Sequence, residues 1–162
     1  MKSEFKPAGY TVSFGAFLFL VCSIFLTVNK IIDPADSLGA VLILGLMFLC
    51  MDIYLVFGEL RSKIIAVNFE INGISNIGFL GLFKPRTYFF DEIDGFKIVY
   101  ISNRERSYEY LYLIAGDKKI IKLSEFYHKN YKELKREILS RNMKYLGSEL
   151  FSNLREFKEI FV

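Results

Sequence analysis

The sequence predicts a two-helix membrane hairpin followed by an α+β domain, an antiparallel β-barrel or sandwich of about six or seven strands closed by a C-terminal helix. Three observations carry that expectation. Two long apolar stretches, about 9–29 and 37–58, occupy the first third of the chain. From residue 61 the apolar spacing changes from helical to strand-like, with turn residues at short intervals. Near residue 130 it turns helical again.

The first stretch lies within 23 consecutive uncharged residues, Pro7 to Asn29. At 1.5 Å per residue these reach about 34 Å, enough for a hydrocarbon layer of about 30 Å. The second, Ser37 to Gly58, has Asp52 as its single charge. Neither stretch has the polar face that a helix in a soluble core keeps toward water. A cleaved leader is disfavoured, because the first stretch is longer than a typical leader core and a second follows it. Between the stretches, Pro34 breaks the helix, and Asp36 or Ser37 can cap the next one.

Basic residues set the expected orientation. Lys2 and Lys6 precede the first stretch and Arg61 and Lys63 follow the second, whereas the connection has Lys30 against Asp33 and Asp36. Both termini are therefore expected in the cytoplasm, in a multi-pass protein of the cell (inner) membrane. Residues 1–60 hold 3 basic and 5 acidic side chains, and residues 61–162 hold 18 and 13. A mildly basic domain suits the underside of an anionic leaflet. No basic run or aromatic-basic motif points to nucleic acid.

Strands are expected at Lys63–Phe69, Ile74–Leu82, Thr87–Phe90, Phe96–Ile101, Tyr108–Ala115 and Lys119–Leu123. Asn72 with Gly73, and Gly116 with Asp117, are turn signals because these residues tolerate positive φ. Asn130 with Glu133 suggests a capping box. Tyr131, Leu134, Ile138 and Tyr145 share a helical face, and Gly147 is the expected stop. Residues 148–162 are then expected to form a short amphipathic helix.

This order resembles the pleckstrin-homology (PH) fold, and more closely the PH-like domains of small bacterial membrane proteins with an N-terminal two-helix hairpin. The residues that carry the resemblance are Asn72, Gly73 and Ile74, then Phe90, Asp91, Glu92 and Ile93, the long hairpin Phe96–Ala115, and Tyr131 to Leu134. It covers about 1–146. It implies a binding or assembly module rather than an enzyme. Lipid-binding eukaryotic members use basic residues at the first hairpin turn, but Glu70–Gly73 has none, which argues against phosphoinositide-type recognition.

Composition narrows the chemistry. His128 is the only histidine, and Cys22 and Cys50 are the only cysteines. A His/Cys zinc site, a Ser-His-Asp triad and a disulfide scaffold are excluded. No cofactor, metal ion or small-molecule substrate is expected, and no nucleophile or phosphate loop is visible. Asp52 is costly inside a membrane, and a functional candidate on that ground. It is expected level with Tyr10, Thr11 and Ser13. Cys22 and Cys50 are expected at different depths, as buried apolar thiols. The carboxylates of Asp91, Glu92 and Asp94 are expected at an exposed strand entrance, and Gly78 to Gly81 at a bulge. Lys84, Arg86, Arg104 and Arg106 are candidate contacts for anionic lipid headgroups. Leu150, Phe151, Leu154, Phe157 and Phe161 would line one face of the last helix, and three uses are open to it: folding back on the domain, lying on the membrane, or docking a protein partner or a second copy. The function expected is an interaction or assembly module in the membrane. The alternatives are anionic-lipid sensing, or immunity to a membrane-active toxin.

Overall fold

The computed structural model describes residues 1–32, 38–61, 63–82, 84–102, 107–116 and 118–152. Helix α1 spans Pro7–Ile32 and helix α2 spans Leu38–Ile53. The second helix runs on without interruption as a π-helical turn, Tyr54–Leu60. Two stretches, Pro7–Asn29 and Ile43–Leu60, are long and apolar enough to cross a membrane. Only 6% and 17% of their most apolar windows are buried within the chain, unlike the core helices of a soluble domain. Phe14, Phe17, Phe25, Ile43 and Leu46 all point outward.

The hairpin is held by Phe19 against Phe48, ring centroids 5.7 Å apart, and by Ser23 against Asp52. Its register differs from the one expected. The Phe19–Phe48 and Ser23–Asp52 contacts together place Asp52 beside the middle of α1 rather than near its start. Asp52 therefore meets Ser23, not Tyr10 or Ser13.

Two sheets follow. The first has the order β1-β2-β3, with β1 Ala66–Phe69, β2 Gly73–Ile77 and β3 Arg86–Phe89, all antiparallel. The second has the order β6-β5-β4-β7, with β4 Gly95–Ser102, β5 Ser107–Ala115, β6 Lys118–Ser124 and β7 Tyr145–Leu150. Helix α3, Tyr131–Ser140, lies between β6 and β7 in sequence. Val67 and Ile74 from the first sheet, with Ile65 just before it, meet Phe96, Ile98, Leu111, Leu113, Ile121 and Leu123 from the second. Leu134 and Ile138 of α3 complete this core and are fully buried. Burying each such side chain contributes roughly 1.5–3 kcal/mol. The result is an α+β domain of two separate sheets rather than one closed barrel.

Two expectations about the end of the chain are corrected. Helix α3 stops at Ser140, because Asn142 takes the left-handed conformation (φ 54°) that asparagine tolerates at a helix end. Gly147, expected to be the stop, lies inside β7. Residues 145–150 form a strand instead of helix, and β7 pairs parallel with β4, so the sheet is not purely antiparallel. A strand places Tyr145 beside Phe96, at 5.3 Å between rings. Leu154, Phe157 and Phe161 lie outside the described residues. Gly95 allows the close approach, since a Cβ there would stand 2.2 Å from the Lys144 carbonyl oxygen.

The expected strand to Leu82 also ends early. After Ile77 the chain makes a 3-10 turn, Phe79–Gly81, with Leu80 at φ 57° and Gly81 at φ 92°. Gly78 and Gly81 thus flank a turn, not a bulge.

The N-terminal residues join the domain rather than trailing from it. Lys2 bridges to Asn68 and Phe5 to His128. The Ser3 amide donates to the Val67 carbonyl, and the Val67 amide to the Ser3 hydroxyl, each at 2.8 Å. Asn130 serves this tail instead of capping α3. Its Oδ1 accepts from the Glu4 amide at 2.8 Å, and its Nδ2 donates to the Lys2 carbonyl at 2.9 Å.

Candidate functional site

The densest polar chemistry lies where the helical hairpin meets the domain. Glu59 occupies the last turn of the π-helix, where the helix dipole disfavours a negative charge. Lys63, four residues on, offsets it with an ion pair of 2.8 Å. Tyr127 donates to the other carboxylate oxygen at 2.6 Å. The Lys63 side chain is only 6% exposed and that of Glu59 13%, so this pair is nearly dry. The Lys63 ammonium also lies 5.8 Å from the Tyr110 and Phe151 ring centroids. Burial, reinforced by the Glu59 charge, pushes the Tyr127 phenol far above its usual range and keeps it a donor. Apolar packing surrounds the group, with Ala16, Leu60 and Ile64 buried beside Tyr127.

The π-helix matters to this geometry. The Arg61 amide donates to the Val56 carbonyl and the Ile64 amide to that of Glu59, both five residues back. A wider turn rotates the following residues relative to an α-helix. Leu60 and Ile64 both end buried, at 1% and 0% exposure.

His128 is the next layer inward and has no exposed surface. Its Nε2 lies 2.9 Å from the Ile65 carbonyl, and its Nδ1 lies 3.0 Å from the Ser124 carbonyl and 3.2 Å from the Ser124 amide. A neutral ring protonated on Nε2 donates to Ile65 and accepts from the Ser124 amide, and one protonated on Nδ1 donates to the Ser124 carbonyl instead. Burial pulls its pKa below the usual range, with Lys6 adding to the effect against the two backbone bonds. A similar group ties α3 to β5. Tyr131 donates to Glu109 at 2.7 Å, and Lys135 pairs with the same oxygen.

The residues singled out from sequence do not gather into one site. Asp52 is buried at 5% exposure. Its Oδ2 accepts from the Ser23 hydroxyl at 3.3 Å, and its Oδ1 has no hydrogen-bond partner among the described residues. Ser13 donates to the Gly9 carbonyl, and Tyr10 stacks edge-on against Phe5. Cys22 is half-buried, and Cys50, expected buried, faces outward. Glu92 accepts from the Phe89 amide and Asp94 from the Gly116 amide, at 3.1 and 2.7 Å. Both are thus engaged by local backbone. Lys84 and Arg86 are exposed near the start of β3. Arg104 and Arg106 lie outside the described residues. Leu150 is 82% exposed, whereas Phe151 packs beside Val99, Tyr110 and Tyr112.

The sequence does not mark Glu59, Lys63 and Tyr127 as a junction. Glu59 and Lys63 did carry a signal, since an acid and a base four residues apart straddle the end of an apolar stretch. Nothing near Tyr127 in sequence marks it as their partner. The chain matches no protein-family model, no curated protein and no solved structure.

Proposed function

We propose that this chain is a non-enzymatic protein of the cytoplasmic (inner) membrane, with both termini inside and a PH-like domain that serves as an assembly module. The hairpin anchors it, and the Glu59–Lys63–Tyr127 junction holds the domain in a fixed attitude to the membrane. The observation that carries the reading is that two of the outer strands, β3 and β7, have a free edge among the described residues. Among the described residues β3 pairs only with β2, and β7 only with β4. Phe89, Tyr145 and Leu150 on those strands are 53%, 52% and 82% exposed. Open edges with large apolar side chains are templates for an added strand from a partner or a second copy.

The test is purification of the tagged full-length protein from its membranes in a gentle detergent, beside the variants Phe89→Lys and Leu150→Lys. A stoichiometric partner or a defined homo-oligomer is expected. At least one variant should lose it while keeping the wild-type melting temperature. A wild-type protein that purifies as a lone monomer would contradict the reading.

A further inference from the structure

Leu82 poses a separate question. It is 75% exposed. Its position is fixed by its neighbour. The Leu80 amide donates to the Ile64 carbonyl at 3.1 Å, and the Leu80 side chain packs into the junction cluster near Gly9 of α1. Two consecutive left-handed residues, Leu80 and Gly81, then turn the chain outward. Leu82 therefore hangs beside the base of α1, where the apolar span begins.

Charge is arranged to match. Lys84 and Arg86 follow at once, both exposed, and no acidic residue lies between Glu70 and Asp91. Arg86 pairs with Asn76, next to the Ala66–Ile77 pair at the hairpin end of the first sheet. Ile71 offers a contrast. It is 86% exposed but sits in the turn at the other end of β1 and β2. Four strand residues, or about 13 Å, separate the two ends.

We propose that Leu82, Lys84 and Arg86 form a second membrane contact, with Leu82 inserted at the interface and Lys84 and Arg86 on anionic lipid headgroups. This rests on the reading of α1 and α2 as membrane-spanning. The surface is continuous with the base of the spans, and its charge complements an anionic leaflet.

The chain contains no tryptophan, so Leu82→Trp and Ile71→Trp each install a single reporter in the full-length protein. Both are reconstituted in zwitterionic vesicles and in vesicles containing phosphatidylglycerol. Flotation with the vesicles after alkaline carbonate extraction checks the spanning reading separately. Leu82→Trp is expected to emit at shorter wavelength and to lose more than half its emission to lipids brominated near the interface. The Ile71→Trp reporter should stay water-like and unquenched. Adding Lys84→Glu and Arg86→Glu should abolish the excess quenching seen in anionic vesicles. Equal quenching of the two reporters in floated protein would overturn the proposal. Quenching of Leu82→Trp that ignores both lipid charge and the charge reversal would overturn its headgroup part.

Discussion

Tyr127 and Glu59 are 68 positions apart in sequence, yet the phenol donates to the carboxylate at 2.6 Å and fastens the second helix to the domain. The contact closes a group in which Glu59 also pairs with Lys63, and neither charge has much water left around it. Tyr127→Phe removes one charged hydrogen bond and is expected to cost about 2 kcal/mol. Glu59→Ala leaves Lys63 buried beside aromatic rings and should cost more, about 3–5 kcal/mol. The double variant Glu59→Met with Lys63→Met should be less damaging than Glu59→Ala. Melting of the full-length protein in detergent reads all three, and a double variant that loses more than Glu59→Ala would contradict the coupling of the pair.

His128 makes the domain sensitive to acid. Burial holds its folded pKa below the unfolded value of about 6.5. Above about pH 6.5 both states are neutral, and the histidine adds no pH dependence. As pH falls below that value the unfolded chain takes up a proton that the folded chain refuses, so stability drops. Because the protein has one histidine, its imidazole NMR signals are unambiguous. At pH 6.5 they should show a ring less than half protonated, and a ring half protonated or more at that pH in the folded protein would refute this.

Asn130 is a tie for the N-terminal tail. Asn130→Ala loses the bonds to Glu4 and Lys2, both at the surface, so a loss of only about 1 kcal/mol is expected. The sharper readout is local. Amide hydrogen exchange should quicken at residues 1–6 while α3 is unchanged. Quickened exchange in the first turn of α3 would instead mean that Asn130 is a helix cap.

Gly95 is where β7 comes closest to β4. A methyl group there would collide with the Lys144 carbonyl and the Leu146 side chain. Gly95→Ala is expected to cost about 1–3 kcal/mol, as overpacking does, and to loosen residues 145–150 first. Unchanged exchange across β7 would argue against the parallel pairing.

Much of this architecture could be read from the residues, because the signals were periodic. The apolar runs marked both helices, and alternation marked β1, β4, β5 and β6 to within a few positions. What escaped were features that depend on distant partners. Residues 145–150 resemble a helix continuation in isolation, and only the Phe96 and Tyr100 strand gives them a sheet to join. Asn130 has the spacing of a cap, but the tail at residues 2–4 competes for its side chain and wins. The register of the hairpin rests on contacts between distant residues, Ser23 with Asp52 and Phe19 with Phe48, so counting from the ends of the apolar stretches set Asp52 opposite Tyr10 and Ser13 instead. The junction at Glu59 was half visible, since Lys63 lies close in sequence and Tyr127 does not.

The central claim is that the hairpin crosses the membrane and leaves the domain on the cytoplasmic side. In a background with Cys22→Ser and Cys50→Ser, single cysteines at Asn29 and Ser152 would be labelled with a membrane-impermeant maleimide, in intact cells and in inverted vesicles. Asn29→Cys lies at the far end of α1 and should react from outside. Ser152→Cys lies just after β7 and should react only in inverted vesicles. Labelling of both positions from the same side would contradict the claim.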